Sequence, residues 1–149
     1  MTPLQLLRQS VEEAREAVRA SLPGDCLSND IVRKTLIGMC AVVSVETSRR
    51  LKLAGRNPSI EYRLSLFPMV HHFWVSCDGY VIDGTAWQLG GGQVRGKAPL
   101  VYLSRKRDAR FFWYRPEKTF KTHRGVTTLI RKLGWKGPAA ALLVHKEAA

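Results

Sequence analysis

The sequence predicts a single α+β domain in which N-terminal helices pack on an antiparallel sheet. Three observations carry that prediction. Near the start, Leu4, Leu7, Val11, Ala14 and Val18 recur at three- and four-residue steps, one apolar stripe on a helix. Further on the period changes: Ile60, Tyr62, Leu64 and Leu66 alternate with Glu61, Arg63 and Ser65, the pattern of a half-buried strand. Then Asp78-Gly79 separates two apolar runs, a strong signal for a two-residue hairpin and hence for antiparallel pairing.

The elements follow in order. Thr2 reads as the N-cap of the first helix and Pro3 as its first residue. Glu12, Glu13, Arg15, Glu16 and Arg19 fill its other faces, and Pro23-Gly24 ends it. Ser28-Asn29-Asp30 caps a short second helix carrying Ile31, Val32, Leu36 and Ile37, which Gly38 interrupts. A longer helix runs from Cys40 to Ala54, closed by Gly55 as a left-handed cap. Asn57-Pro58 turns the chain into the strand around Ile60, and Phe67-Pro68 breaks that strand. Val70 to Cys77 forms the next strand and Tyr80 to Thr85 returns beside it. Gln88 to Pro99, with Gly90-Gly91-Gly92 and Gly96, is a loop. It does not cradle phosphate, because no Lys-Ser/Thr follows at the required spacing. Leu100 to Leu103 and Phe111 to Tyr114 read as further strands, and Thr122 to Leu133 as a basic helix stopped by Gly134. The tail from Ala139 to Ala149 is apolar and then charged, with no clear period. Neither an internal repeat nor a linker divides the chain. One domain is expected over residues 1–149, with helices through 1–37, a core over 38–88 and basic strands and a helix over 100–149.

Composition narrows the class. A chain of 149 residues, 45% hydrophobic and 24% charged, is globular and long enough to bury a core. No apolar run approaches the roughly 20 residues of a membrane span. Met1-Thr2-Pro3-Leu4-Gln5 lacks the basic and apolar regions of a secretory signal, so a cytosolic protein is expected, with export by a route that needs no signal peptide left open. Cys26, Cys40 and Cys77 form no C-x-x-C pair, so neither a disulfide framework nor a zinc site is expected, and no cofactor is implied. The formal charge is +12, and it is concentrated: eleven Lys and Arg lie between Arg105 and Lys136 against Asp108 and Glu117. Such a field attracts nucleic acid, acidic protein surfaces or anionic lipid.

The hairpin gathers chemically suggestive groups. If Asp78-Gly79 is the whole turn, Cys77 faces Tyr80 and Trp74 faces Asp83. Side chains alternate, so His72, Trp74 and Ser76 share a face with Asp83 and Thr85, while His71 points the other way. His72 is then a diagonal neighbour of Asp83, about 7–8 Å away at the backbone, which long side chains span. A histidine held by a carboxylate has a fixed tautomer and a stabilised imidazolium, as a general base requires. The plain alternative is a structural hydrogen bond. Cys40 is the candidate nucleophile: at a helix start, backbone N–H groups and the dipole favour a thiolate and can hold an oxyanion. A lone cysteine at an apolar helix start is more commonly core. Cys26, before the short second helix, is the rival, and Cys77 lies on the hairpin face opposite His72. Trp74 either walls the site or belongs to the core.

Two stretches resemble a known family. Gly38-Met39-Cys40-Ala41-Val42-Val43-Ser44, with Leu51-Lys52-Leu53-Ala54-Gly55, is similar to the nucleophile helix of transglutaminase-like cysteine proteins, part of the papain-like group. His72-Phe73-Trp74-Val75 followed by Asp78-Gly79-Tyr80-Val81-Ile82-Asp83-Gly84-Thr85-Ala86-Trp87-Gln88 resembles the second half of that pattern, H-x-W-V and then D-G-x-x-x-D-x-T-x-x-Q. The likeness covers about a third of the chain, from Gly38 to Gln88. It implies a papain-like core with Cys40 as nucleophile, His72 as general base and acid, and Asp83 as orienting acid. It implies attack on an amide bond through a thioester, as a protease or amidase on a protein or peptide substrate. A deamidase or transamidase of the same fold is the alternative. The backbone N–H of Cys40 is one implied oxyanion donor. The glutamine that papain-like enzymes often carry shortly before the cysteine is missing between Gln9 and Cys40. Asn29 is a candidate in its place, and Gln88 matches the pattern as a supporting residue.

Outside the likeness, Arg105, Lys106, Arg107 and Arg110 precede Phe111-Phe112-Trp113-Tyr114. Interleaved cations and aromatics suit anion binding and base stacking. They equally suit a strand with its aromatics in the core. A non-catalytic basic module for nucleic acid or an acidic protein is therefore the third functional reading.

Overall fold

The computed structural model describes residues 1–22, 38–66, 69–86, 101–109 and 114–148. The expected second helix, the glycine-rich loop and Phe111–Trp113 lie outside these residues.

The described chain is α+β. Its helices are α1 (Pro3–Ser21), α2 (Met39–Leu53), α3 (His123–Leu133) and α4 (Pro138–Ala148). Its strands are β1 (Ser59–Leu66), β2 (Met69–Cys77), β3 (Tyr80–Asp83), β4 (Tyr102–Arg105) and β5 (Lys118–Phe120). They form one antiparallel sheet in the order β4-β3-β2-β1-β5. Among the described residues, no helix is long and apolar enough to cross a membrane.

Local chemistry sets the elements. Thr2 caps α1 reciprocally: its Oγ1 accepts from Gln5 N at 3.1 Å, and Gln5 Oε1 accepts from Thr2 N at 2.7 Å. The hairpin turn has positive φ at both Asp78 (53°) and Gly79 (79°), which matches the twist of the flanking strands. An aspartate tolerates that conformation, and Arg56 holds its carboxylate, with Nε 2.8 Å from Oδ2. Cys77 then pairs with Tyr80, Ser76 with Val81 and Val75 with Ile82.

Period-2 alternation divides the sheet's two faces. Tyr62, Ile60 and Phe73 pack with Ala41, Val42 and Val43 of α2 and with Val126, Ile130 and Leu143 of α3 and α4. Val75, Cys77 and Ile82 meet Leu7 and Val11 of α1 and Leu51 of α2. On the other face, Trp74 and Val81 pack with Tyr114. A buried carboxylate knits the helices: Glu46 Oε1 accepts from Arg49 Nη2 at 2.6 Å and Arg50 Nε at 3.1 Å, Lys146 Nζ of α4 lies 3.8 Å from Oε2, and Arg50 Nη1 reaches Glu13 of α1 at 3.1 Å.

Several boundaries differ from the sequence expectation. The return strand stops at Asp83 rather than Thr85, because the Asp83 carboxylate takes the Thr85 N–H at 2.9 Å and curls the chain out of the sheet. β4 begins at Tyr102, opposite Asp83, and runs to Arg105, so the strand sits later than Leu100 to Leu103. Its end is fixed where Lys106 N donates to Gly79 O at 2.8 Å. Tyr114, expected in a strand, belongs to none. β5 and α4 had no sequence expectation.

Candidate active site

β3 pairs with β2 only from Val75 to Cys77. Within the described chain, the first half of β2 is therefore paired with β1 alone, and its other edge is open at His71 and His72. Two groups meet there. Asp83, the last residue of β3, reaches back along the hairpin. Cys40, in the first turn of α2, comes from the helix layer.

Asp83 is fully buried, His72 is 2% exposed and Cys40 3%. Four donors converge on the Asp83 carboxylate. His72 Nε2 lies 2.6 Å from Oδ2 and Tyr114 Oη donates to the same oxygen at 2.5 Å. Thr85 donates to Oδ1 through its backbone N at 2.9 Å and its hydroxyl at 3.3 Å. An ionised carboxylate only accepts, so His72 carries a proton on Nε2. That leaves Nδ1, which is buried and has no hydrogen-bond partner among the described residues. Cys40 is the other side chain that favours the charged form of this ring, and Nδ1 is the nitrogen that Asp83 leaves open. The sulfur also lies 4.0 Å from the His71 carbonyl oxygen. Trp74 stacks on the imidazole, its centroid 6.2 Å away at 19°, and meets Tyr114 edge-on at 5.3 Å. Tyr114 in turn stacks on Tyr102 at 5.2 Å and 7°.

The electrostatics follow from burial and partners. Burial alone pushes His72 toward its neutral form. The charge and hydrogen bond of Asp83 outweigh that, Cys40 adds a smaller push the same way, and His72 titrates well above its ordinary value. The pairing with Asp83 thus favours its charged form. Burial raises the Tyr114 phenol, and the Asp83 charge raises it further, so Tyr114 remains a proton donor to that carboxylate. At the start of α2, Gly38 is the N-cap with φ of 91° and offers no side chain to the first turn. The first intrahelical bond is Val42 N to Gly38 O at 3.0 Å, so the N–H groups of Met39, Cys40 and Ala41 have no partner within the helix.

No family model, curated protein or solved structure matches the chain.

His71 is excluded as the partner of Asp83. It faces the helix layer, with Nδ1 2.6 Å from Tyr62 Oη and its ring edge-on to Trp135 at 5.5 Å, and burial lowers its pKa. Cys77 is buried against Leu7, Val11 and Leu51, away from His72. Burial, and then the Asp78 charge beside it, push its thiol up to about 11, which makes it a poor nucleophile. Arg105, Lys106 and Arg107 are exposed at the far end of β4 from Tyr102 and line an open groove of about 490 Å³ with Asp78, Gly79 and Tyr80. They are not brought to His72. Cys26, Asn29, Gln88 and Arg110 lie outside the described residues. Among the described residues, no group of three or more His, Cys, Asp or Glu side chains is placed to hold a metal.

Two groups on the carboxylate were missed as site residues. Thr85 was read as a strand residue, although Asp-x-Thr is itself a turn signal that marks it. Tyr114 lies 31 residues from Asp83. The pairing of Asp83 with Tyr102, the stacking of Tyr102 on Tyr114 and the edge contact with Trp74 place it there, and no local pattern encodes that.

Proposed function

We propose that the protein is a cysteine-dependent hydrolase of amide bonds in proteins or peptides, with a papain-like, transglutaminase-like core in which Cys40 is the nucleophile, His72 the general acid and base, and Asp83 the orienting acid. The observation that supports this best is the buried Asp83–His72 pair, whose free nitrogen is left to the cysteine of an uncapped helix start.

The chemistry runs through named atoms. Cys40 attacks the amide carbonyl as a thiolate, its proton having passed to His72 Nδ1, and the carbonyl electron pair moves to the oxygen, where the N–H of Cys40, which has no partner within the helix, donates to it. As the tetrahedral species collapses, His72 gives its Nδ1 proton to the leaving amine and a thioester remains. His72, now neutral, takes a proton from water, whose oxygen displaces Cys40 and releases the acid. Asp83 holds the ring through Nε2. Cys40 is 3% exposed, so acylation requires the site to open.

Mass spectrometry with a small thiol-directed alkylating probe tests the assignment. Cys40 should be the residue labelled, Cys40→Ala should lose both labelling and peptide cleavage, and Cys77→Ala should retain them. If Cys40→Ala labels fully and Cys26→Ala does not, the nucleophile is misassigned. Ammonia release from a protein substrate without cleavage would instead make the enzyme a deamidase of the same chemistry.

A further inference from the structure

The basic C-terminal region separates into two patches at opposite edges of the sheet. Arg105, Lys106 and Arg107 follow β4, at one edge, while α3 follows β5, at the other. We propose that the outer face of α3 is a docking surface for the phosphodiester backbone of nucleic acid.

Arg124, Thr128, Arg131 and Lys132 are the exposed positions of α3 and share one helical face, while Val126, Thr127, Leu129 and Ile130 are buried on the other. Exposed Lys121 and Lys136 extend the stripe before and after the helix. From Lys118 to Lys146 the sequence holds no Asp or Glu. Among the described residues, none of Lys121, Arg124, Arg131, Lys132 and Lys136 joins an ion pair. Arg8, Arg19, Arg49 and Arg50 of α1 and α2 all do. Lys52 adds a further cation at the start of the stripe, its Nζ donating to Lys121 O at 2.6 Å. Like charges on one helix face repel each other and call for an external counter-charge.

The partner's chemistry follows from what the face lacks. A protein interface needs an apolar or aromatic anchor at its centre. A helix that binds lipid inserts apolar side chains. Every exposed residue of α3 is polar, and its apolar residues are turned toward the core. A uniform polyanion asks only for spaced cations. From Arg124 to Lys132 the helix rises about 12 Å at ~1.5 Å per residue, which spans roughly three or four phosphates of one duplex strand at ~3.4 Å each.

This surface does not depend on the cysteine chemistry, and the experiment keeps the two apart. Anisotropy of a labelled mixed-sequence DNA duplex is titrated with the full chain from low to physiological salt. Binding should weaken with a log–log slope of about −3 to −4, and Arg124→Gln/Arg131→Gln/Lys132→Gln should remove about 2.7 of it at ~0.9 per phosphate. Arg131→Gln alone should remove about 0.9, which keeps the test open if the triple variant folds poorly. Alkylation of Cys40 should be unchanged in both. The proposal is overturned if the triple variant binds like wild type or if Arg105→Gln/Lys106→Gln/Arg107→Gln carries the loss instead. Equal binding to a polyglutamate peptide or to anionic phospholipid vesicles also overturns it.

Discussion

Replacing Asp83 with Asn separates the opposing forces on His72. In the wild-type protein, burial drives the imidazole toward neutrality and the carboxylate 2.6 Å away overrides it. With Asn in place the carboxylate's push is gone, burial outweighs the smaller push from Cys40, and the His72 pKa should fall below its ordinary value of about 6.5. The cost in stability is large. An amide offers an oxygen on one side and an NH₂ on the other, where the carboxylate met donors from His72 and Tyr114 on Oδ2 and from Thr85 on Oδ1. One side now sets donor against donor. Weakened charge-assisted bonds and a stranded donor together come to about 3–5 kcal/mol.

The pH dependence is the more specific signature. His72 is raised in the folded protein, so its contribution to stability is complete below about pH 6.5 and is lost as pH rises toward the folded value, at up to ~1.4 kcal/mol per pH unit. Between pH 7 and 9 that is up to about 2.7 kcal/mol, or roughly 5–10 °C in Tm at this chain length. In Asp83→Asn the histidine's contribution reverses. It is present above about pH 6.5 and is lost as pH falls through the depressed value. Thermal melts of both proteins from pH 6 to 9 measure the difference, since the other titrating groups are common to both. An NMR titration of the His72 ring assigns it. Parallel Tm curves, or a wild-type His72 that is neutral at pH 7, would refute the reasoning.

Two further substitutions test the frame around the pair. Tyr114→Phe removes the 2.5 Å bond to Asp83 but keeps the ring against Tyr102 and Trp74, and should cost about 1.5–3 kcal/mol in chemical denaturation. It also leaves the carboxylate less satisfied and more attractive to the His72 proton, so the His72 titration should move upward; an unchanged titration would mean that Tyr114 is only packing. Gly84→Ala places a Cβ 2.7 Å from Val43 Cγ1, 2.9 Å from Val11 Cγ2 and 3.2 Å from Arg15 Cγ, overpacking α1 and α2 against the residue next to Asp83. A loss of roughly 1–3 kcal/mol is expected, and a wild-type urea midpoint would show that the helices yield freely.

What the sequence made legible was local. A threonine N-cap followed by proline started α1, and a two-residue turn set a register that held as far as Ile82. Register is informative because a slip of one residue turns every side chain to the other face. It therefore placed His72, and not His71, on the Asp83 side. Elements held by distant contacts were not legible. β5 is three residues, Lys118–Phe120, whose strand identity comes only from pairing with β1. α4 opens Pro-Ala-Ala-Ala-Leu-Leu-Val, too evenly apolar to show a period, and becomes a helix against α2 and α3. Tyr114 belongs to the same group: its partners are on β2, β3 and β4, and its own neighbours in sequence suggested a strand.

The position of the ion pair bears on why it exists. Taking two charges out of water costs several kcal/mol per ion, and apolar residues of similar volume often serve stability as well or better. The hairpin does not need the pair: Val75, Ser76 and Cys77 already bond to Ile82, Val81 and Tyr80, and Ile82 and Val75 already pack on Leu7, Val11 and Leu51. Asp83 instead sits just where strand pairing stops, and its cost is offset by four donors that leave it no freedom to rotate. What it fixes is one nitrogen of His72, which determines where the other points. A stabilising contact would be indifferent to that second nitrogen, and an apolar replacement would remove it. A site that takes a proton from Cys40 and passes it to a leaving amine depends on it. The retained charge is therefore better accounted for by the proposed acid–base role than by the folding of the hairpin.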